Sequence, residues 1–481
     1  MFGIMAATKK ECCHTGTGPG YASPKEAMQG PREKYMFVNC AGVNTEDTPD
    51  MIVTVDVDPD STNYCKIVSR LDFPFFGDEV HHSGWNACPS CFGNPNAVRS
   101  HLVLPCLHSG RIYIVDTKDP LELKLHKVVD PTELLKHDAT FPHTTHCLPD
   151  GTIMINTWGD ARGNGKSNFI LLDGKTFDVI GTWPADDSPV PRFNYAFWYQ
   201  PRHNVMVSTE FGHPKFLRKG FRLIDVGEGN YGKHINIYNW KERRLVQTLK
   251  IDEPEGLIPM EVRFLHDPDS PHGFLHTCLG SAIYHLYKDQ ETGFYKHRLA
   301  TLIPPKKVTD WAMSIMPALI SDILISIDDR WIYIANYIHG DIRQYDISDP
   351  FNIKQVAQVF VAGSCTKEDT KVVEDHELTD QPEAIYIKDK KIEGGPHMLQ
   401  LSLDGKRLYV TTSLYSPWDR QFYPGLIKNG ASMIQLDVDT EVGGLKVNKD
   451  FLVDFGAIEG GPFLAHEMRY PGGDCTSDIW L

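Results

Sequence analysis

Short runs of β-branched and aromatic residues follow one another along almost the whole chain, whereas long amphipathic patterns of helical period are scarce. Asp, Gly and Pro bound these runs, which is typical of strands separated by tight turns. The best helix candidates are short, such as Pro131–Lys136 and Val373–Thr379. The pattern therefore predicts an all-β protein. The clearest strand-like runs are Met51–Val57, Arg111–Asp116, Thr152–Thr157, Asn204–Thr209, His234–Trp240, Trp331–Tyr337 and Arg407–Thr412.

A recurring unit organises these strands. Each copy has a short apolar strand, a turn marked by Asp or Pro and a second strand, as in TTHCLPD from Thr144 and MLQLSLD from Met398. The units begin at positions 82, 144, 195, 261, 322, 398 and 468, so they lie 51 to 76 residues apart. This length accommodates four strands, and four-stranded units repeated around an axis are the blades of a propeller. The recurrence therefore predicts seven blades.

The two ends of the chain predict how the ring closes. The last unit begins at Met468 with room for only two strands, while the strands at 35–39, 51–57 and 65–71 precede the first unit. We therefore expect a seven-bladed β-propeller, spanning residues 19–481 as a single domain, in which the N-terminal strands complete the C-terminal blade. Closure removes an open sheet edge that would favour aggregation. Residues 1–18 are expected to be flexible, and a two-sheet sandwich with additional domains is the alternative fold.

Charge and composition narrow the function classes. The 481 residues include 48 Lys and Arg against 63 Asp and Glu. The net charge of −15 argues against a nucleic-acid partner, because phosphate contacts depend on Lys and Arg. The sequence has no stretch of about 18 consecutive apolar residues and no signal-peptide core near its N-terminus. We therefore expect a protein of the cytosol without a transmembrane segment, with the nucleus as a second location and peripheral membrane association left open.

The cysteines include one pair with a notable spacing. Eleven cysteines, an odd number, favour free thiols, metal sites or redox pairs over a disulfide framework. Cys88-Pro-Ser-Cys91 has the spacing of a redox or metal-binding pair. Because no second pair of this spacing accompanies it, two reduced cysteines in a loop remain the alternative. Cys65 lies in a short strand-like run, where a half-buried inert thiol is the alternative to a functional one.

Histidines are concentrated where the predicted blades begin. In a propeller the first strand of each blade lines the central channel, and its first residues face one mouth. Imidazole suits Zn, Cu, Fe and Ni, so several histidines at one mouth predict a transition-metal site. Five of the nine mouth positions are histidine: His81, His82, His143, Asn194, Glu261, Asp322, His397, His466 and Glu467. The candidate ligands are His81, His82, His143, His146, His466 and, from a loop on the same face, His339.

Strand alternation limits which of these histidines can act together. It predicts that only one of His81 and His82 faces the channel axis. His143 and His146 should point to opposite faces unless a bulge bends the strand. Channel histidines that are hydrogen-bonded without any metal remain the alternative.

Five long motifs carry a resemblance to a known family. They resemble the signature of the selenium-binding protein family, whose members include methanethiol oxidases, and the resemblance runs from about Gly18 to Leu481. The motifs are HHSGWNACPSCFG from His81, FWYQPRHN from Phe197, GDIRQYDISDP from Gly340, LSLDGKRL from Leu401 and HEMRYPGGDC from His466.

The resemblance implies a function. It implies a cytosolic enzyme that oxidises methanethiol with O2 and water to formaldehyde, hydrogen sulfide and hydrogen peroxide at a copper-dependent site. It also implies covalent selenium binding through a cysteine, and Cys65 matches that position. Family members carry a C-x-x-C pair near the N-terminus, whereas this chain has the adjacent pair Cys12-Cys13.

Copper fits this chemistry, since a thiol oxidation with O2 needs a redox metal that tolerates sulfur. Glu467 or Glu261 is the expected proton acceptor for a methanethiol thiolate at the metal. Two other functions stay open. One is a His-ligated iron propeller oxygenase acting on a long apolar polyene. The other is a non-enzymatic selenium-binding scaffold in protein trafficking.

Overall fold

The computed structural model describes residues 18–481, and within this range the strands form seven four-stranded antiparallel sheets. The predicted all-β class and seven-bladed propeller are confirmed. The Cys12-Cys13 pair and the predicted flexible segment 1–18, except Gly18, lie outside the described residues.

Three strands come before the first complete blade: β1 (Tyr35–Gly42), β2 (Met51–Asp56) and β3 (Ile67–Asp72). Blade 1 contains β4 (Gly84–Trp85), β5 (His101–Pro105), β6 (Ile112–Asp116) and β7 (Lys124–Val129). Blade 2 contains β8 (Thr140–Cys147), β9 (Thr152–Gly159), β10 (Gly165–Asp173) and β11 (Val179–Thr182). Blade 3 contains β12 (Phe197–Gln200), β13 (Val205–Ser208), β14 (His234–Asn239) and β15 (Arg244–Lys250).

Blade 4 contains β16 (Pro259–Phe264), β17 (His272–Thr277), β18 (Ala282–Lys288) and β19 (Tyr295–Leu302). The next strands, β20 (Lys306–Thr309) and β21 (Ile315–Met316), lie outside the blades. Blade 5 contains β22 (Ile320–Ile325), β23 (Trp331–Asn336), β24 (Asp341–Asp346) and β25 (Lys354–Phe360). Three short strands follow: β26 (Lys371–Glu374), β27 (Tyr386–Ile387) and β28 (Lys390–Lys391). Blade 6 contains β29 (Leu399–Leu401), β30 (Arg407–Thr411), β31 (Ser432–Val438) and β32 (Leu445–Asp454), and β33 (Phe463–Arg469) is the last strand.

Blade 7 joins the two ends of the chain. Its strand order is β33-β1-β2-β3, with Phe37 opposite Arg469 and Gly42 opposite Phe463. The N-terminal strands therefore complete the C-terminal blade, as predicted. The predicted start of the last unit at Met468 is wrong, because β33 begins at Phe463 and is the only C-terminal strand of this blade. Pro471, two residues after the end of β33, has no backbone N–H and so disfavours continued strand pairing there.

Helices among the described residues are short, and no helix in 18–481 is long and apolar enough to cross a membrane. The predicted helix at Pro131 is confirmed, and Asp130 caps it by accepting a hydrogen bond from the Thr132 N–H at 2.9 Å. The predicted helix at Val373–Thr379 is wrong, because β26 pairs there with β20. The helices are α1 (Pro24–Ala27), α2 (Pro131–Leu135), α3 (Pro214–Leu217), α4 (Leu223–Gly227), α5 (Ser416–Phe422) and α6 (Pro424–Asn429).

The hydrophobic core lies between adjacent blades. Inner strands are buried over almost their whole length, as β16 and β22 are, whereas the outer strand β15 alternates exposed and half-buried residues. This gradient arises because each blade packs both faces against its neighbours near the axis and meets solvent at its outer edge. Between blades 4 and 5, for example, Phe274 packs in one cluster with Ile323 and Ile334.

The channel has two mouths, which differ in what closes them. We call the end at which the first strands begin the upper mouth, and the opposite end the lower mouth. Residues 470–481 close the lower mouth: the Arg263 Nη1 donates to the Thr476 carbonyl at 2.5 Å, and the Arg99 Nη2 lies 2.7 Å from the Asp478 Oδ1. The upper mouth is covered by the long β30–β31 connection, which contains α5 and α6.

Candidate metal centre

Five buried histidines from four parts of the ring meet at the upper mouth. His81 and His82 precede β4, His143 lies in β8, His397 precedes β29 and His466 lies in β33. The ring centroids are 3.6 Å apart for His81 and His466, 4.0 Å for His82 and His143, and 4.6 Å for His397 and His466. One ring nitrogen from each of His81, His82 and His143 lies within 4.8 Å of the others, so these three can hold one metal ion. We call the five residues the histidine cluster.

The expectation that only one of His81 and His82 faces the axis is wrong. Both rings contact His143 and His466. The alternation rule does not apply here, because residues 81–83 precede β4 and are not part of a regular strand.

Two histidines are oriented so that one nitrogen stays free. The Nδ1 of His82 lies 3.0 Å from the Glu467 Oε1, and the Nδ1 of His143 lies 2.9 Å from the Tyr195 carbonyl oxygen. Both partners are acceptors, so Nδ1 carries the proton in each ring and Nε2 keeps its lone pair. Neither Nε2 has a hydrogen-bond partner, although both are buried. A partner that fixes one nitrogen and leaves the other bare is the usual arrangement around a metal-binding histidine.

Burial keeps four of the five histidines of the cluster uncharged. Desolvation, followed by repulsion from the neighbouring imidazoles, lowers the pKa of His81, His143, His397 and His466 well below the ordinary value. Neutral imidazole is the form that binds transition metals. The Nδ1 atoms of His397 and His466 are also buried without partners, while their Nε2 atoms lie 2.8 Å apart. Buried polar atoms are seldom left unpaired, so these bare nitrogens fit a metal ion.

Glu467 is an ionised carboxylate fixed beside the cluster. Burial alone would raise its pKa, but Arg469 and His82 lower it below the usual range of a glutamate. Its oxygens accept hydrogen bonds from the Ser83 N–H, from Arg469 and from His82. Glu467 therefore has the contacts of a residue that orients His82.

A very small apolar cavity adjoins His81. Its volume is about 10 Å3, and one water molecule needs about 10–15 Å3. The Tyr415 hydroxyl, at its edge, lies 2.7 Å from the Nε2 of His108. The other lining residues are Leu107, Trp158, Tyr195, Phe211, Met260, Leu414 and Trp418.

Comparison with known proteins identifies the family. The profile of the 56kDa selenium binding protein (SBP56) family matches residues 15–481. The chain belongs to this family. It is 53% identical over 468 residues to the methanethiol oxidase of Homo sapiens, covering 96% of this chain and 98% of that protein. It is 52% identical over 473 residues to selenium-binding protein 2 of Mus musculus, covering 97% of this chain and 99% of that protein.

A solved structure supports the assignment. The hypothetical selenium-binding protein of Sulfolobus tokodaii superposes with a TM-score of 0.83 at 34% sequence identity, over 96% of this chain and 98% of that one. The resemblance seen in the sequence motifs is therefore confirmed at the level of family and fold.

The other predicted ligands of this SBP56 chain lie elsewhere. His146 is buried against Phe197 and Trp198, on the same strand as His143 but one bulge further along. His339 lies between β23 and β24, with its Nε2 3.2 Å from the Met316 carbonyl oxygen. Among the described residues, no ring contact joins either histidine to the cluster.

Glu261 and Cys65 also lie away from the cluster. In the channel wall the Oε2 of Glu261 is 3.3 Å from the Arg263 Nη2, and its buried Oε1 has no partner. Cys65 is half-buried in the β2–β3 connection, with its Sγ 3.7 Å from the Asp450 carbonyl oxygen. Burial raises the pKa of the Cys65 thiol.

Sequence reasoning missed His397 as a candidate ligand. The repeat register placed it at the upper mouth, but the ligand set left it out. Its contact with His466 depends on the spacing of blades 6 and 7, which the sequence period alone does not give.

Proposed function

We propose that this chain is a copper-dependent methanethiol oxidase, which converts methanethiol, O2 and water into formaldehyde, hydrogen sulfide and hydrogen peroxide. The observation that carries the proposal is the bare, buried Nε2 of His82 and of His143, in a cluster whose member His81 lines a very small apolar cavity. The name of the human relative supports the substrate class. The cytosol is the proposed location, with the nucleus as a second one.

Four histidines would hold the copper: His81, His82, His143 and His466. His397 supports the set, because its ring packs against His466. Bound copper would supply electron transfer from the thiol to O2. Zinc binds the same ligand types but has no redox chemistry, which is why copper is the better candidate.

The apolar cavity would receive the methyl group of methanethiol when its lining side chains move apart, since its present volume is no larger than one water molecule needs. His81 forms one wall, while Trp158, Phe211 and Trp418 exclude water from the other sides. A space this small favours a one-carbon thiol over the long polyene of a propeller oxygenase. The aromatic walls also keep the reactive carbon away from bulk solvent until its hydration, which would release formaldehyde and sulfide.

Two carboxylates would have different tasks. Glu467 uses its oxygens on Ser83, His82 and Arg469, so it would orient His82 and balance the positive charge at the centre. Glu261 lies in the channel wall away from the cluster and keeps a buried Oε1 without a partner, so this atom would be the final acceptor of the substrate proton after transfer along the channel. The predicted catalytic pair thus becomes one positioning residue and one proton acceptor.

Covalent selenium binding at Cys65 is a separate part of the proposal. The thiol lies in the β2–β3 connection of blade 7, whereas the cluster lies at the channel axis. A non-enzymatic scaffold remains the second candidate function, but it gives no reason for four buried imidazoles with bare nitrogens. Such atoms cost stability unless they bind something.

Metal exchange coupled to product analysis tests the proposal. The purified full chain is stripped with a chelator and reloaded separately with copper, zinc or iron, and then given methanethiol in air-saturated buffer. We expect sulfide, formaldehyde and peroxide in equal amounts from the copper form alone. Equal turnover by the stripped protein, or turnover only with iron, would contradict the proposal.

A further inference from the structure

Three cysteines meet near the lower mouth, away from the histidine cluster. Cys88 precedes the short 3-10 helix Pro89–Cys91 in the β4–β5 connection of blade 1, and Cys91 is the last residue of that helix. Cys147 is the last residue of β8 in blade 2. Cys88 and Cys147 form a disulfide with their Cα atoms 6.4 Å apart, while Cys91 is a free thiol. The disulfide thus links two neighbouring blades.

One hydroxyl group contacts all three sulfurs. The Ser90 Oγ lies 3.1 Å from the Cys88 Sγ, 3.4 Å from the Cys147 Sγ and 3.9 Å from the Cys91 Sγ. The three sulfur atoms therefore surround a single oxygen atom. A hydroxyl in this position can donate a hydrogen bond to whichever sulfur becomes a thiolate.

Only one of the three cysteines borders open space. Cys91 lines a cavity of about 350 Å3, which is within the size range of small-molecule sites. Cys88 and Cys147 do not line it and are almost fully buried. A small molecule that enters the cavity therefore meets Cys91 first. Polar side chains form much of the wall, including Asn86, Asn94, Asn96, Ser100 and His101.

We propose that Cys88, Cys91 and Cys147 form a thiol–disulfide exchange site for small thiols. The thiolate of Cys91 attacks the sulfur of Cys88, the Cys88–Cys147 bond breaks, and Cys147 leaves as a thiolate that takes up the proton lost by Cys91. The new bond joins Cys88 and Cys91, the pair whose C-x-x-C spacing is typical of redox disulfides.

The small thiol then completes the exchange at the cavity. Its thiolate attacks the sulfur of Cys91, forms a mixed disulfide and releases Cys88 as a thiolate. A second thiol molecule removes the first as a small disulfide, so two thiols are oxidised and one protein disulfide is reduced. The protein disulfide is the oxidant, and no other reagent is needed.

The exchange changes the connection between blades and depends on pH. Moving the bond to Cys88–Cys91 releases the covalent link between blades 1 and 2. Burial raises the pKa of the Cys91 thiol, and only the thiolate attacks, so the exchange accelerates as pH rises.

Timed reduction of the purified full chain tests the proposal. The oxidised protein is treated with 2-mercaptoethanol, quenched in acid and alkylated, and its disulfides are mapped by mass spectrometry. We expect a Cys88–Cys91 disulfide and a 2-mercaptoethanol adduct on Cys91 before full reduction. Cys91→Ser should slow reduction of Cys88–Cys147 by about tenfold or more, because the attacking thiol is missing. Cys147→Ser should form Cys88–Cys91.

The matched control is Cys106→Ser, since Cys106 is a buried free cysteine of blade 1. The Cys88–Cys147 disulfide of this variant should be reduced at the wild-type rate. The proposal is overturned if Cys91→Ser also reduces at that rate, or if Cys91 of the wild-type protein stays an unmodified thiol until reduction is complete. The reduction assay needs no turnover of methanethiol, so its result does not depend on the proposed oxidase function. Sulfide release from methanethiol should be unchanged in Cys91→Ser.

Discussion

The two mouths of the channel contain similar residue types in opposite chemical states. At the upper mouth, burial lowers the pKa of His81 and His466, and nitrogens are left bare. At the lower mouth, His266 contacts Asp329 at 3.1 Å and the Cys475 carbonyl oxygen at 2.9 Å. Burial alone would lower the pKa of His266, but these partners raise it above its ordinary value. The lower mouth therefore has the contacts of a structural closure, and the upper mouth those of a binding site.

The largest expected effect is the loss of metal from the upper mouth. His82→Ala should remove copper and reduce turnover by more than the about 10–100-fold that a supporting residue costs, because a ligand is deleted. His203→Ala is the control, since His203 lies in the β12–β13 turn at the lower mouth. Copper content and sulfide release are measured for both variants. Copper loss in His203→Ala with retention in His82→Ala would reverse the assignment of the two mouths.

A substitution at the lower mouth should destabilise the fold and leave the metal in place. Asp478→Ala leaves the buried Arg99 without its ion-pair partner, which costs about 3–5 kcal/mol for a buried pair. Denaturant unfolding should show this loss while the copper content per folded chain stays at the wild-type level. Wild-type stability combined with loss of copper would show that the tail serves the metal site instead.

A smaller effect is expected at the residue that orients His82. Glu467→Gln keeps the size of the side chain but weakens the hydrogen bond to the His82 Nδ1, so copper affinity should fall by about 10–100-fold. Competition with a copper chelator measures the copper affinity. Glu261→Gln is the comparison: it should keep copper and lower the rate of sulfide release, because it removes a proton acceptor. An unchanged copper affinity in Glu467→Gln would disprove its positioning role.

The pH dependence of stability should differ between the mouths. Buried His81, His143, His397 and His466 have pKa values below that of the unfolded chain, so metal-free protein should lose stability as pH falls below about 6.5. His266 has a raised pKa, so its contribution is present below about pH 6.5 and is lost as pH rises through its folded value. Unfolding curves from about pH 5 to 8 for His266→Gln and His466→Gln should separate the two. Identical profiles would contradict the comparison.

The smallest effect on turnover is expected at Cys65. Cys65→Ser should abolish covalent selenium labelling and leave sulfide release close to wild type, because the thiol lies in the β2–β3 connection and not among the buried imidazoles. Mass spectrometry after selenite treatment and the sulfide assay measure the two properties. Loss of both selenium labelling and sulfide release in Cys65→Ser would show that the two properties depend on one site.

Much of the fold follows from local sequence pattern. Strands such as Trp331–Asn336 and Arg407–Thr411 appear within a residue of their predicted bounds, because β-branched runs and turn residues act locally. Ring closure was predictable because three N-terminal strands had no blade. The helix predicted from Val373 is wrong, because this segment pairs with β20. That pairing is a tertiary contact, which the local sequence pattern does not contain.

The position of the site was predictable from the sequence, but the full set of residues that form it was not. The repeat register placed His82, His143 and His466 at one mouth because blade starts share that face. It could not place His339, whose loop folds against Met316, or detect the contact between His397 and His466. Both depend on the packing of one blade against another, which strand period does not determine.

The most direct test of the account is the position of the metal. Anomalous diffraction at the copper absorption edge, from crystals of the copper-loaded protein, locates the ion independently of activity. The account predicts one strong peak among His81, His82, His143 and His466, with the Nε2 atoms of His82 and His143 as ligands. A peak at the cysteines of the lower mouth, or at His339, with none in the histidine cluster would contradict it.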